Sequence, residues 1–264
     1  DDGALKTLAD AERDGDPILA VIKSTAVNHG GHTHGFSVPS AKLQAALIDG
    51  NFKRAGIDPR TLSYVESAAN GSAMGDAIEL SALSRVFSAA GVAPQSCAIG
   101  SVKSNIGHAE AASGMSALSK LVLQLQHRQL APSLLLGELN PKLDFAHSPF
   151  VLQRTLAEWP QPVLEIDGVE QPVPRRACLS AFGAGGSNAH LIIEEYPSAP
   201  TPDLAASEPG LMQIVPLSAH SSAALQQGLE RLARHLDRHP QVRLQDLAHT
   251  LQNGREAMPL RLAS

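Results

Sequence analysis

The chain has 264 residues, enough for one large domain or a domain and a half. Its 26 acidic side chains outnumber 21 lysines and arginines, giving a net charge of -5, and no basic run is present, which argues against a nucleic-acid binder. No apolar stretch approaches the ~18 residues that a membrane-crossing helix needs, so neither nucleic acid nor membrane is expected as a partner.

The N-terminus, "DDGALKTLADAERDGD", is acidic and lacks the apolar core of a signal peptide, and with no initiator Met it reads as a sequence joined midway. "DPILAVIKSTAVNH" is β-branched and predicts a strand pair leaving a turn. "SAKLQAALIDGNFKRAG" predicts a helix, with Ser40 as its cap, Leu43 and Leu47 in register, and Gly56 as its stop. "LSYVES" is a strand, "GDAIELSALSRVFSAAG" a helix ending at Gly91, and "CAIGSVKSN" another strand. "AEAASGMSALSKLVLQLQH" is apolar nearly all round, the mark of a helix buried between layers. "RRACLSAF" and "NAHLIIEEY" are strands on either side of a glycine loop. Strands alternating with helices predict a layered α/β core. Residues 198–210 are rich in Pro, Ala and Ser and predict a linker. Beyond it, "MQIVPLSA" predicts a strand. Ser221 or Ser222 then caps a helix carrying Leu225, Leu229, Leu232 and Leu236, and a second helix carries Leu244, Leu247 and Leu251. This αβ appendage over residues 211–264 reaches "GREAMPLRLAS" with no closing element legible, so its last strand is expected to be missing.

Two cysteines, Cys97 and Cys178, make no disulfide framework, which fits a reducing cytoplasm, and each sits among apolar and small residues as a core thiol would. Three segments carry polar chemistry. In "GSVKSNIGHAEAASG" a strand delivers Lys103, a turn follows, and His108 stands before the buried helix, where its imidazole can donate to a developing oxyanion; capping that helix is the competing role. In "SAFGAGGSNAH" the glycines permit close backbone approach to a ligand, with Ser187 and Asn188 as polar contacts. A phosphate loop is the weaker alternative, because a strand and not a helix follows. "NHGGHTHG" holds His29, His32 and His34, either a metal cluster or a solvated loop, and the lack of a nearby carboxylate or thiolate favours the loop.

Taken in order, these motifs resemble the second half of a ketosynthase, the carbon–carbon bond-forming β-ketoacyl synthase domain of polyketide and fatty-acid synthases. The resemblance covers residues 1–197. A family segment of the form VEAHGTGT followed by GDPIE reads here "VESAANGS" and "AMGDAIE". The family's KSNIGH is intact at Lys103 to His108, and its SFGxGGTNAH reads "AFGAGGSNAH". The appendage resembles the flanking subdomain that follows ketosynthases of multimodular polyketide synthases, especially those whose acyltransferase acts in trans. The resemblance implies the C-terminal half of a layered αβαβα thiolase-like fold followed by a small αβ subdomain. It implies an acyl carrier protein as partner, the substrate riding on that carrier's phosphopantetheine, no cofactor bound by the chain itself and a homodimer when intact. Two departures stand out. The family's nucleophilic Cys, in a motif of the form TACSSS, has no counterpart here, so a missing N-terminal half carrying that Cys is expected. Ala68 stands where the family has its first catalytic histidine, which implies acyl transfer without condensation; an inactive scaffold, or a condensing enzyme rescued by Asn70, is the alternative. Lys103 and His108 are the remaining catalytic positions. Asn70 and Ser72 replace two threonines that resemble pantetheine contacts, and Phe182, Gly183, Ala184, Gly185 and Gly186 form the loop over the missing Cys.

Overall fold

The computed structural model describes residues 5–33, 35, 38–134, 137–166, 168–197 and 212–263. His34 and the linker expected at 198–210 lie outside the described residues. The chain divides into two units, Asp1–Ser198 and Ala199–Ser264.

The first unit opens with α1 (Leu8–Asp14), capped by the Thr7 hydroxyl. β1 (Val21–His29) follows as one nine-residue strand, not the strand pair that the sequence suggested, because β10 (Ser187–Glu194) pairs with it along its whole length. A register shift between Ile22 and Ser24 is the only break, so the run bends without turning back. α2 (Ala41–Ala55) starts at Ser40, whose Oγ accepts from Leu43 N–H, and stops at Gly56, where φ of +63° suits glycine. Next come β2 (Tyr64–Glu66), α3 (Gly75–Ala89) and β3 (Cys97–Gly100). β3 ends at Gly100, and Lys103 lies instead on a single helical turn, α4 (Lys103–Ile106). α5 (Ser113–His127) follows, then β4 (Gln129–Leu130), β5 (Phe150–Leu152), β6 (Ala157–Glu158), the hairpin of β7 (Val163–Ile166) and β8 (Val169–Pro172), and β9 (Arg176–Phe182).

Six strands form one sheet in the order β1-β10-β9-β2-β3-β5. β1, β10 and β9 run antiparallel to one another, while β9, β2, β3 and β5 are parallel neighbours. Successive residues of each strand face opposite sides, and the core splits accordingly. Val65, Cys97, Ile99, Cys178 and Ile192 pack with Ile48 and Phe52 of α2 and Leu83 and Phe87 of α3. Tyr64, Ala98, Ala177, Leu179 and Ile193 pack on the other side with Leu121 and Leu125 of α5. The expected α/β layering is thus a helix–sheet–helix sandwich. Both cysteines lie fully buried in it, and burial pushes their thiols up, so they are un-ionised core groups. α5 is covered on one side only: Met115 is 61% and Leu123 53% exposed, in contrast to the all-round burial expected.

The second unit consists of β11 (Pro216–Ala219), α6 (Ser222–Arg238) capped by Ser221, α7 (Leu244–Asn253) and β12 (Leu260–Ala263). β12 pairs antiparallel with β11, so the closing strand expected to be missing lies within "GREAMPLRLAS". Its short Leu-Arg-Leu alternation gave too weak a signal to read. Among the described residues no helix is long and apolar enough to cross a membrane.

Candidate active site

Parallel strands β2 and β3 end side by side, and each throws a polar loop from its C-terminal end, where ligands of parallel α/β sheets collect. From β2 comes residues 67–74, and its backbone is tethered at nearly every step. Ser67 N–H donates to Gly100 C=O at 2.8 Å. Ala68 N–H donates to Glu79 Oε1 at 2.9 Å, and Ala68 C=O accepts from Lys103 Nζ. Ala69 C=O accepts from the Ser101 hydroxyl at 2.7 Å. Asp76 takes the N–H groups of Asn70 and Gly71 on its two oxygens, at 3.2 and 3.0 Å. Asn70 Oδ1 accepts from Ser72 N–H at 3.1 Å, and Ser72 Oγ from Gly75 N–H at 3.1 Å. Asp76 in the first turn of α3 and Glu79 in the second sit three apart, so one helix end reaches back to two points of the loop.

These two carboxylates were not singled out in the sequence. Their spacing at a helix N-terminus next to a small-residue loop was the available signal, since acids there serve both the dipole and nearby N–H groups. Glu79 is fully buried, and desolvation raises its carboxyl to about 7 against the Ala68 N–H and the charge of Lys103. Lys103, half-buried, is lowered by its own desolvation, with Glu79, Glu66 and Asp76 opposing the shift.

From β3 comes the segment that carries Lys103 and His108. Gly107 N–H closes α4 on Lys103 C=O at 3.0 Å and, with φ of +81° and extended ψ, turns the chain so that His108 stands exposed. His108 Nδ1 accepts from Glu110 N–H at 2.9 Å. In the neutral ring the proton therefore resides on Nε2, which is left as an outward donor. His108 does not cap α5: its ring bonds the 3-10 turn Glu110–Ala112 that precedes it.

The glycine loop is the tip of the β9–β10 hairpin. Gly183 N–H donates to Ser187 C=O at 2.7 Å and Gly186 N–H to Gly183 C=O at 3.0 Å, leaving Ala184 and Gly185 exposed. Gly186 has φ of +96°, and a methyl there would stand 3.1 Å from the His29 ring. Asn188, expected to face a ligand, is buried and donates to Asn28 Oδ1 at 3.0 Å, so it braces β1 against β10. The structure thus joins Ala68, Asn70, Ser72, Lys103 and His108 through two neighbouring loops. Among the described residues no hydrogen bond links Phe182 to Gly186 with them; the hairpin approaches where a methyl on Gly114 would meet Ala181 Cβ at 3.8 Å, at the start of α5. His29 is engaged by Gly31 N–H through Nδ1 at 2.9 Å, and no group of three or more metal-binding side chains occurs among the described residues.

Residues 19–136 match the family described as "Beta-ketoacyl synthase, C-terminal domain", and residues 213–264 match "CurL-like, PKS C-terminal". The chain is 49% identical over 261 residues to polyketide synthase PksL of Bacillus subtilis, covering 98% of this chain and 6% of that protein. It is 46% identical over 263 residues to polyketide synthase ThaQ of Burkholderia thailandensis, covering 98% and 12%. Among solved structures it matches the ketosynthase from module 6 of the bacillaene synthase of Bacillus subtilis, with a TM-score of 0.84 and 40% identity over 98% of this chain and 43% of that one. The oxazolomycin ketosynthase domain from Streptomyces albus matches with a TM-score of 0.86 and 43% identity, over 98% and 44%. The chain therefore spans a small part of these synthases and less than half of a solved ketosynthase chain. Its α/β fold is that of the thiolase-like ketosynthases.

Proposed function

We propose that the chain, as C-terminal ketosynthase sequence of the modular polyketide synthase kind, belongs to the β-ketoacyl synthases and serves acyl transfer without condensation. In this reading the intact domain takes an acyl chain from the phosphopantetheine of an acyl carrier protein onto a Cys supplied by the N-terminal half. It then passes that chain on without decarboxylating malonyl thioester. The chain thus belongs to a non-elongating ketosynthase of the type whose acyltransferase acts in trans, working in the cytoplasm as a homodimer.

The observation that carries the reading is Ala68. Condensation builds negative charge on the malonyl thioester oxygen, which two imidazoles stabilise in the family. Here one position offers a methyl group, and the loop's own N–H groups at 68, 70 and 71 are already committed to Glu79 and Asp76. Loss of one preorganised donor typically costs about 10²–10³ in rate. Rescue by Asn70 is disfavoured by its carboxamide oxygen, which closes the turn onto Ser72. Acyl transfer to a thiolate needs no second imidazole, and His108 keeps its Nε2 donor. Asn70 and Ser72 are exposed on the loop rim, where pantetheine amides would pass, and Phe182 to Gly186 would form the opposite rim.

The test is mass spectrometry of the intact ketosynthase mixed with an acyl carrier thioester and then a malonyl carrier. Acylation of the nucleophile with no extended β-keto product is expected. Elongation at an ordinary rate overturns the reading, and absence of acylation favours the inactive scaffold.

A further inference from the structure

Beneath the two loops lies a buried polar cluster that the acyl-transfer reading leaves without a role. Lys120 of α5 is 8% exposed and Glu66 of β2 is fully buried, with Nζ 2.9 Å from Oε2. The Tyr64 hydroxyl donates to the same carboxylate oxygen at 2.9 Å, and Lys120 Nζ donates to the Tyr64 oxygen at 2.8 Å. The other carboxylate oxygen accepts the N–H of Val102. Packing around the cluster is tight: a methyl on Gly100 would stand 2.5 Å from Ser133 Oγ and 2.6 Å from the Tyr64 hydroxyl. Ser133 Oγ in turn accepts from Ser101 N–H at 3.0 Å.

A buried ion pair is weak support for stability, since apolar residues of equal volume often serve as well. This pair is set apart by what its carboxylate joins. Glu66 is the last residue before the loop of Ala68. Val102 immediately precedes Lys103. Lys120 belongs to the helix that follows His108. One carboxylate therefore ties the roots of both loops to the helix behind them.

We propose that Lys120 is a positioning residue: its ammonium holds the Glu66 carboxylate against the Val102 amide, and so sets where Lys103 meets the Ala68 loop. Only the kinetic part of the test rests on the acyl-transfer reading. Without the ammonium, Glu66 loses the one charged group hydrogen-bonded to it while staying desolvated, so it protonates or turns aside. Either way Val102 N–H loses a charged acceptor, and α4 is free to shift Lys103 off the Ala68 carbonyl.

The experiment uses the intact ketosynthase with Lys120→Met, Lys120→Arg and the double variant Lys120→Met/Glu66→Gln. Two quantities are read: kcat and KM for acylation of the nucleophile, and amide hydrogen exchange of peptides spanning residues 67–72 and 101–108. Lys120→Met is expected to lower kcat about 10–100-fold with KM nearly unchanged, the scale of a misplacement near 1 Å. Exchange should quicken in those two peptides and not in α2 or β10. The double variant, which leaves no orphaned charge and keeps an oxygen for Val102 N–H, should recover most of both losses. If Lys120→Met does not fold, Lys120→Arg, which keeps the charge but moves its donors, is read in the same way. Unchanged kcat and exchange, or exchange that quickens evenly across the first unit, would overturn the proposal. If the wild-type domain is not acylated at all, the preceding reading fails, and the exchange pattern alone decides the role of Lys120.

Discussion

Glu79 is held in a fully buried position with its carboxyl raised to about 7, because desolvation outweighs the Ala68 N–H and the charge of Lys103. An unfolded glutamate titrates near 4.5, so between about pH 4.5 and 7 the folded state binds the extra proton. Stability must then fall as pH rises through that window, by about 3 kcal/mol in all, and level off above it. Tolerating such a group has a local explanation: its oxygen receives the Ala68 N–H, and its charge faces Lys103. Glu79→Gln keeps an acceptor for Ala68 N–H and removes the titration. In the intact ketosynthase the thermal midpoint of Glu79→Gln, relative to wild type, should therefore rise between pH 5 and pH 8. A difference between the two proteins that stays constant over that range would show that Glu79 titrates normally in the fold.

At the scale of elements, the β9–β10 hairpin presents Ala184 at an exposed tip whose width is fixed by the bonds of Gly183 and Gly186. On the proposed reading this tip forms one rim of the acyl entrance, where an aromatic stands in many fatty-acid relatives. Ala184→Phe should slow acylation by long acyl thioesters more than by short ones, with a difference of about 1–3 kcal/mol in kcat/KM if the ring overpacks the entrance. Equal slowing for both would place Ala184 off the path. The helices were legible in the sequence where caps and periodicity agreed, as for α2 between Ser40 and Gly56 and α6 after Ser221. Pairing was not legible. The run before His29 stayed one strand because β10 lies along all of it, and β12 is a strand because β11 is there to receive it. The KSNIGH turn showed the chemistry but hid its geometry, since four residues are too few for a helical period to appear. The partners of the site, Glu66, Asp76, Glu79 and Lys120, come from three separate elements and meet only through the sheet.

Across the whole first unit, the sheet is covered by α2 and α3 on one side and by α5 on the other, yet α5 itself is apolar beyond what it buries. Met115 and Leu123 lie on the side turned away from Leu121 and Leu125, and Ile106 just before it is 66% exposed. Solvent-facing helices of stable domains do not ordinarily present such a side. The chain spans less than half of the solved ketosynthases it matches, and on the proposed reading the N-terminal half of the domain is the cover, which would make α5 the middle layer the sequence anticipated. Leu123→Glu distinguishes the two situations. In this chain alone the change should alter stability by no more than about 0.5 kcal/mol, as at other exposed positions. In the intact ketosynthase it would bury an unpaired carboxylate, with a loss of several kcal/mol or failure to accumulate as folded protein. Denaturation midpoints of both proteins with and without the substitution check this, and a near-neutral effect in the intact domain would mean that α5 faces water there too.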